Sequence, residues 1–219
     1  MEKCQDPLKI NGRFKGYSRE ELLKNLPRHC KYTPHIKKQI NKIPDVILRN
    51  SGTPLAKKLN RMMKEVSLET YRAKQFTRTE INDRGVLYGI VLLKHDVIDL
   101  VLKYFHDRWP QCIICLYNEH SFKTSIINER GIITNYNIRL REFVDKISRN
   151  RPIIPYFKDI QFSGEKIFET LYQSSFIEER DNPLYFKKMI PDYCYELPGM
   201  RKGVERRFNN KIKKIDEFL

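Results

Sequence analysis

The sequence predicts an α+β protein: an antiparallel sheet of four to five strands with helices packed on one of its faces, and helical N- and C-terminal extensions. Two observations support this class. Between residues 74 and 149, short apolar runs typical of strands alternate with segments of helical period, in the order β-β-α-β-β(-β)-α. The strands are joined by hairpin-length connections, which link antiparallel neighbours. With 40 % hydrophobic residues among 219, the chain also has enough apolar side chains to form a core.

The N-terminal part of the chain is predicted to be helical. A short helix is expected at 18–25, where "SREE" resembles a capping box, and a second one within 35–50, interrupted near Pro44. The clearest helix follows Thr53, a suitable N-cap residue, and its apolar residues fall on one stripe as far as Val66. Lysines and arginines lie largely off that stripe. This helix therefore has a basic outer surface, which is either simply solvated or faces nucleic acid.

Changes in the period of the hydrophobic residues predict the central and C-terminal elements. The strands predicted in chain order are "AKQFTRTEI" and "VLYGIVLL" around the turn "NDRG", then "QCIICLY", "SFKTSIIN" and a short "IITNY". The helix "HDVIDLVLKYFHDRW" precedes the third strand, and further helices are expected at 138–149, at 163–176 and at the basic C-terminus. We therefore divide the chain into an N-terminal extension (1–50), an α+β domain (51–200) and a basic C-terminal helix (201–219).

Charge is the most informative property of the composition. The chain has 42 Lys and Arg against 27 Asp and Glu, a formal net charge of +15, and a soluble domain this basic typically binds a polyanion. We expect DNA as a partner, although a lysine-rich proteome would give the same bias and the composition does not distinguish DNA from RNA. No apolar run reaches the ~18 residues of a membrane span, and no secretory signal is present. We therefore expect no membrane partner and a cytoplasmic protein with reduced thiols.

No sequence motif predicts a metal, a cofactor or a catalytic group. Cys112 and Cys115 in "CIIC" would lie on opposite faces of a strand and lack a second ligand pair, so we interpret them as buried structural thiols. The histidines form no H-x-x-x-H or H-x-H pair, and the sequence has no phosphate-binding glycine motif and no nucleophile elbow. The sequence also lacks a pair of aspartates on one predicted strand, which would indicate a metal-dependent nuclease.

Basic residues interleaved with aromatic ones are the remaining functional signal. Such a pattern suits neutralisation of phosphates together with stacking on bases; the alternative is that the aromatic residues form the core while the cations cover its rim. Arg72, Lys74 and Arg78 alternate along the predicted entry into the first strand, so strand geometry would place them on one face. The other candidate nucleic-acid-binding residues are Arg108 at the end of a helix, and Arg180, Asn182, Lys187 and Lys188 in "FIEERDNPLYFKKMIPDYCYELPGM".

Four passages of the chain follow a recognisable pattern: "ETYRAKQFTR", "VLYGIVLLKHDVIDLVLKYFHDRWPQCIICLYN", "NERG" and "LYQSSFIEERDNPLYFKKMIP". They resemble four features of one domain family of unknown function. In chain order, these are its opening Glu-x-x-Arg-x-Lys-x-Phe-x-Arg motif, its central series of motifs, its Asp-Gly turn and its closing Glu-Arg-x-Asn-Pro…Met-x-Pro signature. That family is linked to DNA repair or DNA metabolism, occurs beside radical-SAM proteins and is fused to uracil-DNA glycosylases in bacteria. The resemblance covers roughly 55–200, and Asn118 departs from the family's usual aspartate.

The resemblance implies a setting in DNA repair or DNA modification. We expect a DNA-binding accessory module that acts with a partner enzyme, a DNA glycosylase or a radical-SAM protein, and that has no cofactor of its own. In the closing signature, Arg180 would pair with Glu178, Glu179 or a phosphate. Asn182, which precedes Pro183, would hold the loop through an Asx-type turn. The first alternative is an enzyme that acts on a base or nucleotide, with Glu179 or Asp181 as acid or base. The second is a protein-interaction adaptor that contacts no nucleic acid.

Overall fold

The computed structural model describes residues 16–158 without a gap, together with the strand residues 9–10 and 13–14 and some positions in the C-terminal region. These C-terminal positions are 170, 174, 182, 184–185, 188, 190, 192–197 and 200. The chain forms two compact units: the first contains Met1–Tyr71 and Lys94–Val97, and the second Arg72–Leu93 and Ile98–Leu219. The predicted helix at 201–219 lies outside the described residues, and the predicted division at residues 50 and 200 stays a prediction.

The first unit is helical, as the sequence predicts for the N-terminal region. It contains α1 (Arg19–Asn25), α2 (Pro34–Lys42), α3 (Asp45–Asn50) and most of α4 (Pro54–Phe76), with a 3₁₀ turn at Leu26–Arg28 between α1 and α2. Two short strands, β1 (Lys9–Ile10) and β2 (Arg13–Phe14), pair antiparallel. Apolar residues at helical spacing form its core, among them Leu22, Leu26, Ile40, Leu48 and Leu59.

A buried amide fixes how the segments of the first unit meet. Asn60 on α4 accepts the backbone N–H of Tyr17 through Oδ1 at 3.1 Å. Its Nδ2 donates to the Leu48 carbonyl oxygen at 2.7 Å and to the Ser51 hydroxyl at 2.8 Å. The residue before Tyr17 is Gly16 because a Cβ atom there would collide with this Nδ2. Since the side chain is buried, leaving its polar atoms without these partners would cost about 1–3 kcal/mol each.

The second unit is built on a five-stranded sheet, which confirms the predicted α+β class. Its strands are β3 (Thr79–Ile81), β4 (Val86–Val91), β5 (Ile113–Asn118), β6 (Lys123–Ile127) and β7 (Ile133–Tyr136), and they lie side by side in chain order. Three of the pairings are antiparallel, and the pairing of β4 with β5 is parallel. The sheet is therefore mixed, although mostly antiparallel.

The parallel pair is the departure from the predicted all-antiparallel sheet. Helix α5 (Ile98–Arg108) lies between β4 and β5 in the chain. A connection of that length can carry the chain back across the sheet, so that β5 starts at the same edge as β4; a hairpin turn cannot. In the resulting register Val86 is opposite Ile113, and Val91 is opposite Asn118.

The central strands are buried on both faces, whereas the sequence predicted helices on one face. Phe143 of α6 (Leu140–Arg149) packs in a cluster with Cys115 on one face. Strand alternation turns Ile114 and Leu116 to the opposite face, where both are fully buried as well. Short helices follow at Pro155–Lys158 (α7) and Asp192–Tyr195.

The predicted strand "AKQFTRTEI" is wrong over its first half. Helix α4 continues through Phe76, and β3 begins only at Thr79. The Ala-Lys-Gln run before Phe76 consists of good helix formers, and Phe76 itself packs against the cluster of Cys194, Leu197 and Met200, so propensity and packing both extend the helix. Arg72 and Lys74 therefore lie on a helix rather than on a strand.

We expect Ser18→Ala to lower the free energy of unfolding by about 1 kcal/mol, because it removes an N-cap. The Ser18 hydroxyl accepts the N–H of Glu21 at 3.2 Å, and the Glu21 carboxylate accepts the N–H of Ser18 at 2.7 Å, which is the predicted capping box. Urea denaturation of the variant and the parent measures the difference. An unchanged midpoint would contradict a stabilising cap.

The capping box should also make stability depend on pH. The N–H of Ser18 lowers the pKa of Glu21 below its ordinary value of 4.5. A carboxyl group whose pKa is lowered by folding stabilises the fold above its unfolded pKa, and the contribution is lost as the pH falls through the folded pKa. Glu21→Gln should therefore flatten the acid limb of a stability–pH curve. Glu20→Gln, in the same first turn of α1, is the control and should leave that limb as in the parent.

Candidate functional site

Two cations predicted to bind nucleic acid meet over one aromatic ring in the second unit. The Lys74 Nζ atom lies 5.3 Å from the centroid of the Tyr104 ring, and the Arg108 Cζ atom lies 4.3 Å from it. Arg108 reaches the ring because it follows Tyr104 by four residues on α5, which is one helical turn. Lys74, Tyr104 and Arg108 together form the cation–aromatic cluster. Trp109, the next residue of the chain, is 45 % exposed.

The cation–aromatic cluster holds two like charges close together. Each cation lies within the ~6 Å at which a ring face attracts it, an interaction worth about 0.5–1 kcal/mol at exposed sites. The two charged groups are at most about 10 Å apart, which is close to the Debye length of a physiological salt solution. An anion that binds between them would relieve their mutual repulsion, so the arrangement favours an anionic ligand.

Arg72 and Arg78 do not join this cluster. Arg72 is half-buried on α4. The Arg78 Nη1 donates to the Gln75 carbonyl oxygen at 2.6 Å, and burial lowers the pKa of its guanidinium. Arg78 therefore closes the turn from α4 to β3. The predicted alternation of three cations along a strand is wrong, and contact of Arg72 or Arg78 with nucleic acid stays a prediction.

The closing segment is described at some of its predicted positions. Asn182 Oδ1 accepts the N–H of Tyr185 at 2.9 Å, which supports the predicted role of Asn182 in holding a turn. Tyr185 is 60 % exposed and Lys188 is exposed as well. The remaining predicted residues of this segment, Glu179, Arg180, Asp181 and Lys187, lie outside the described residues.

Sequence reasoning missed a second group of side chains, which lies in the first unit. His29, Cys30 and His95 come together, and a potential metal-ligand atom of each lies within 4.8 Å of those of the other two. These three residues form the histidine cluster. His95 follows Cys30 by 65 residues, so no local spacing reveals the contact. The adjacent His-Cys pair was the one signal available in the sequence.

Hydrogen bonds to the backbone bring the two segments of the histidine cluster together. The N–H of Asp96 donates to the Arg28 carbonyl oxygen at 2.8 Å, and Arg28 Nη1 donates to the Asp96 carbonyl oxygen at 3.0 Å. Glu69 on α4 accepts the N–H of Lys94 at 3.0 Å and that of His95 at 2.7 Å, one with each carboxylate oxygen. The backbone on both sides of His95 is therefore fixed before any ligand binds.

The two cysteines of "CIIC" are buried, as predicted. Cys112 and Cys115 are 1 % and 0 % exposed, and burial raises the pKa of both thiols, to about 12 for Cys115. A thiol that stays protonated is a poor nucleophile and a poor metal ligand. Their burial and raised pKa values therefore support the interpretation as structural thiols.

Comparison with known proteins gives a family for this α+β protein. A family model described as DUF4130, a domain of unknown function, matches residues 30–197. Because the match covers most of the chain, the protein belongs to this family. No curated protein and no solved structure matches it. Within the described residues, no helix is both long enough and apolar enough to cross a membrane.

We expect a thiol reagent to modify Cys30 in the native protein while Cys112, Cys115 and Cys194 stay protected. Cys30 is exposed and the other three are buried. In a Cys4→Ser background, mass spectrometry should count one modified thiol in the native protein and four in denaturant. Cys30→Ser should remove the native modification. Rapid native modification of Cys115 would contradict its placement in the core.

Proposed function

We propose that this protein is a nucleic-acid-binding accessory module of DNA repair or DNA modification, and that the cation–aromatic cluster is part of its binding surface. The observation that carries the proposal is the convergence of Lys74 and Arg108 on the Tyr104 ring. Cations that neutralise phosphates beside aromatic rings that stack on bases are the recurrent features of sequence-independent nucleic-acid binding. The net charge of +15 supplies the long-range attraction.

The arrangement of the cluster suits a backbone phosphate. The guanidinium of Arg108 lies over the ring, and the planar fork of N–H donors on a guanidinium matches the geometry of a phosphate. Arg108 is exposed, as is Trp109 beside it. Lys74 adds a second charge from α4 on the same ring. A phosphate bound here would accept hydrogen bonds from both cations and would remove the repulsion between them.

The setting rests on the family resemblance. The four matching passages link this chain to domains that occur beside radical-SAM proteins or are fused to uracil-DNA glycosylases, and we propose a partner enzyme of one of these kinds. The alternative of an enzyme acting directly on a base depends on Glu179 or Asp181, which lie outside the described residues. The adaptor alternative is the outcome if no nucleic acid binds.

Lys74→Gln and Arg108→Gln should each weaken DNA binding and lower the slope of log K against log salt by about 1, since each removes one phosphate contact. The double variant should lower the slope by about 2. Fluorescence anisotropy with labelled single-stranded and duplex oligonucleotides over a salt series measures both quantities. Lys103→Gln, which removes an exposed charge from the same helix, is the matched control and should change the slope less.

Four results would count against the proposal. Affinity that is independent of salt, or no binding at low salt, would favour the adaptor. Equal effects of Lys103→Gln and Arg108→Gln would show that net charge, rather than the cluster, drives binding. Product formation from damaged or modified DNA by the protein alone would favour the enzyme.

A further inference from the structure

His29 and His95 form a close pair of buried imidazoles. They are 3 % and 6 % exposed, and their ring centroids lie 4.4 Å apart. Metal binding requires a neutral imidazole nitrogen whose lone pair is available.

The hydrogen bonds indicate which nitrogen of each ring has the lone pair. The N–H of Lys31 donates to His29 Nδ1 at 3.0 Å, and the N–H of Cys30 donates to His95 Nδ1 at 3.2 Å. A nitrogen that accepts an N–H has its lone pair available, so the proton of each neutral ring is on Nε2. His29 Nε2–H donates to Glu65 Oε2 at 3.0 Å, in agreement with this tautomer. Both lone pairs are directed at the turn formed by Cys30 and Lys31.

We propose that the histidine cluster binds one Zn²⁺ ion through His29 Nδ1, His95 Nδ1 and the sulfur of Cys30. Two imidazoles and one thiolate are ligands that zinc accepts in tetrahedral geometry, with water in the fourth position. The ion takes the place of the N–H groups of Cys30 and Lys31 at the two Nδ1 atoms. On coordination the Cys30 thiol releases one proton to solvent, and no electron is transferred.

The distances between the ligand atoms show that zinc binding requires a small rearrangement of the side chains. Ligand atoms on a tetrahedral zinc ion stand roughly 3.3–3.8 Å apart, given bonds of about 2.0–2.3 Å. In the histidine cluster one potential ligand atom of each residue lies within 4.8 Å of those of the other two, so the ligands must approach each other by at most about 1.5 Å. Cys30 can supply this movement because it is exposed and lies in a turn between α1 and α2.

Two carboxylates on α4 give the site the outer contacts typical of bound metals. A carboxylate that accepts the remote N–H of a ligating histidine fixes the tautomer and raises the basicity of the ligating nitrogen, and Glu65 is placed to do this for His29. Glu69 holds the backbone N–H of His95. Because these glutamates are four residues apart on one helix, a rigid element positions both imidazoles.

The competing interpretation is a purely structural pair of histidines held by the same hydrogen bonds. The two interpretations differ in what they require of Cys30. A hydrogen-bonded pair needs only the backbone N–H of Cys30, whereas a zinc site needs its sulfur. Cys30→Ser keeps the backbone and nearly the size of the side chain, so it separates the two.

Cobalt titration of the full-length protein, purified with chelator and reductant, tests the site, because Co²⁺ substitutes for zinc and gives a thiolate-to-metal absorption band. We expect this band, together with the visible absorption of tetrahedral cobalt, to saturate at one equivalent and to disappear when Zn²⁺ is added. Cys30→Ser should abolish the thiolate band and weaken Zn²⁺ binding roughly tenfold or more, and Glu65→Gln should weaken it by roughly 10–100-fold.

His35→Gln is the matched control, because it removes an exposed histidine of α2 that lies close in the chain but outside the cluster. It should keep both the band and the affinity. Zn²⁺ should raise the Tm of the parent and of His35→Gln much more than that of Cys30→Ser, since only a ligand that binds the folded state stabilises it. A folded parent without the thiolate band, or a Cys30→Ser variant that keeps the band or the parent's Zn²⁺ affinity, would overturn the proposal.

Discussion

The carboxylate of Glu69 is the contact on which the histidine cluster depends. Its two oxygens accept the N–H groups of Lys94, which is exposed, and of His95, which is buried. Leaving the N–H of His95 without an acceptor would cost about 1–3 kcal/mol. Glu65 precedes it by one helical turn and takes the Nε2–H of His29. Helix α4 therefore sets the position of one imidazole and the tautomer of the other. This constraint holds the two segments of the histidine cluster together without a ligand.

The helical period of α4 also explains why the predicted row of cations does not form. On a strand, Arg72, Lys74 and Arg78 would share one face. On a helix, residues two apart are separated by about 200° around the axis, so Arg72 and Lys74 point in nearly opposite directions. Lys74 is left to approach Tyr104, and Arg78, beyond the end of the helix, turns back to the Gln75 carbonyl oxygen. Helix geometry therefore brings Lys74, but not Arg72 or Arg78, to the Tyr104 ring.

Periodicity was sufficient to predict the position of most elements, such as β4, β5 and β6 and the helices of the first unit. It failed where contacts between residues distant in the chain decide how the elements meet. The parallel pairing of β4 with β5 depends on how α5 crosses the sheet, and hydrophobic pattern does not encode that path. The histidine cluster joins residues 65 apart in the chain, so a search for short ligand spacings could not reveal it. Lys74 and Arg108 were each predicted from charge, but their meeting on one ring is a tertiary contact.

Asn118 shows that a departure from the family pattern can have a structural cause. Its Nδ2 donates to the Leu93 carbonyl oxygen at 3.0 Å, and its Oδ1 accepts the N–H groups of Leu93 at 3.0 Å and of His120 at 3.1 Å. An ionised aspartate could accept the two N–H bonds but could not donate to the carbonyl, and it is costlier to bury than an amide. An amide cannot serve as a general acid or base, so at this position the side chain acts by joining the end of β5 to the segment after β4.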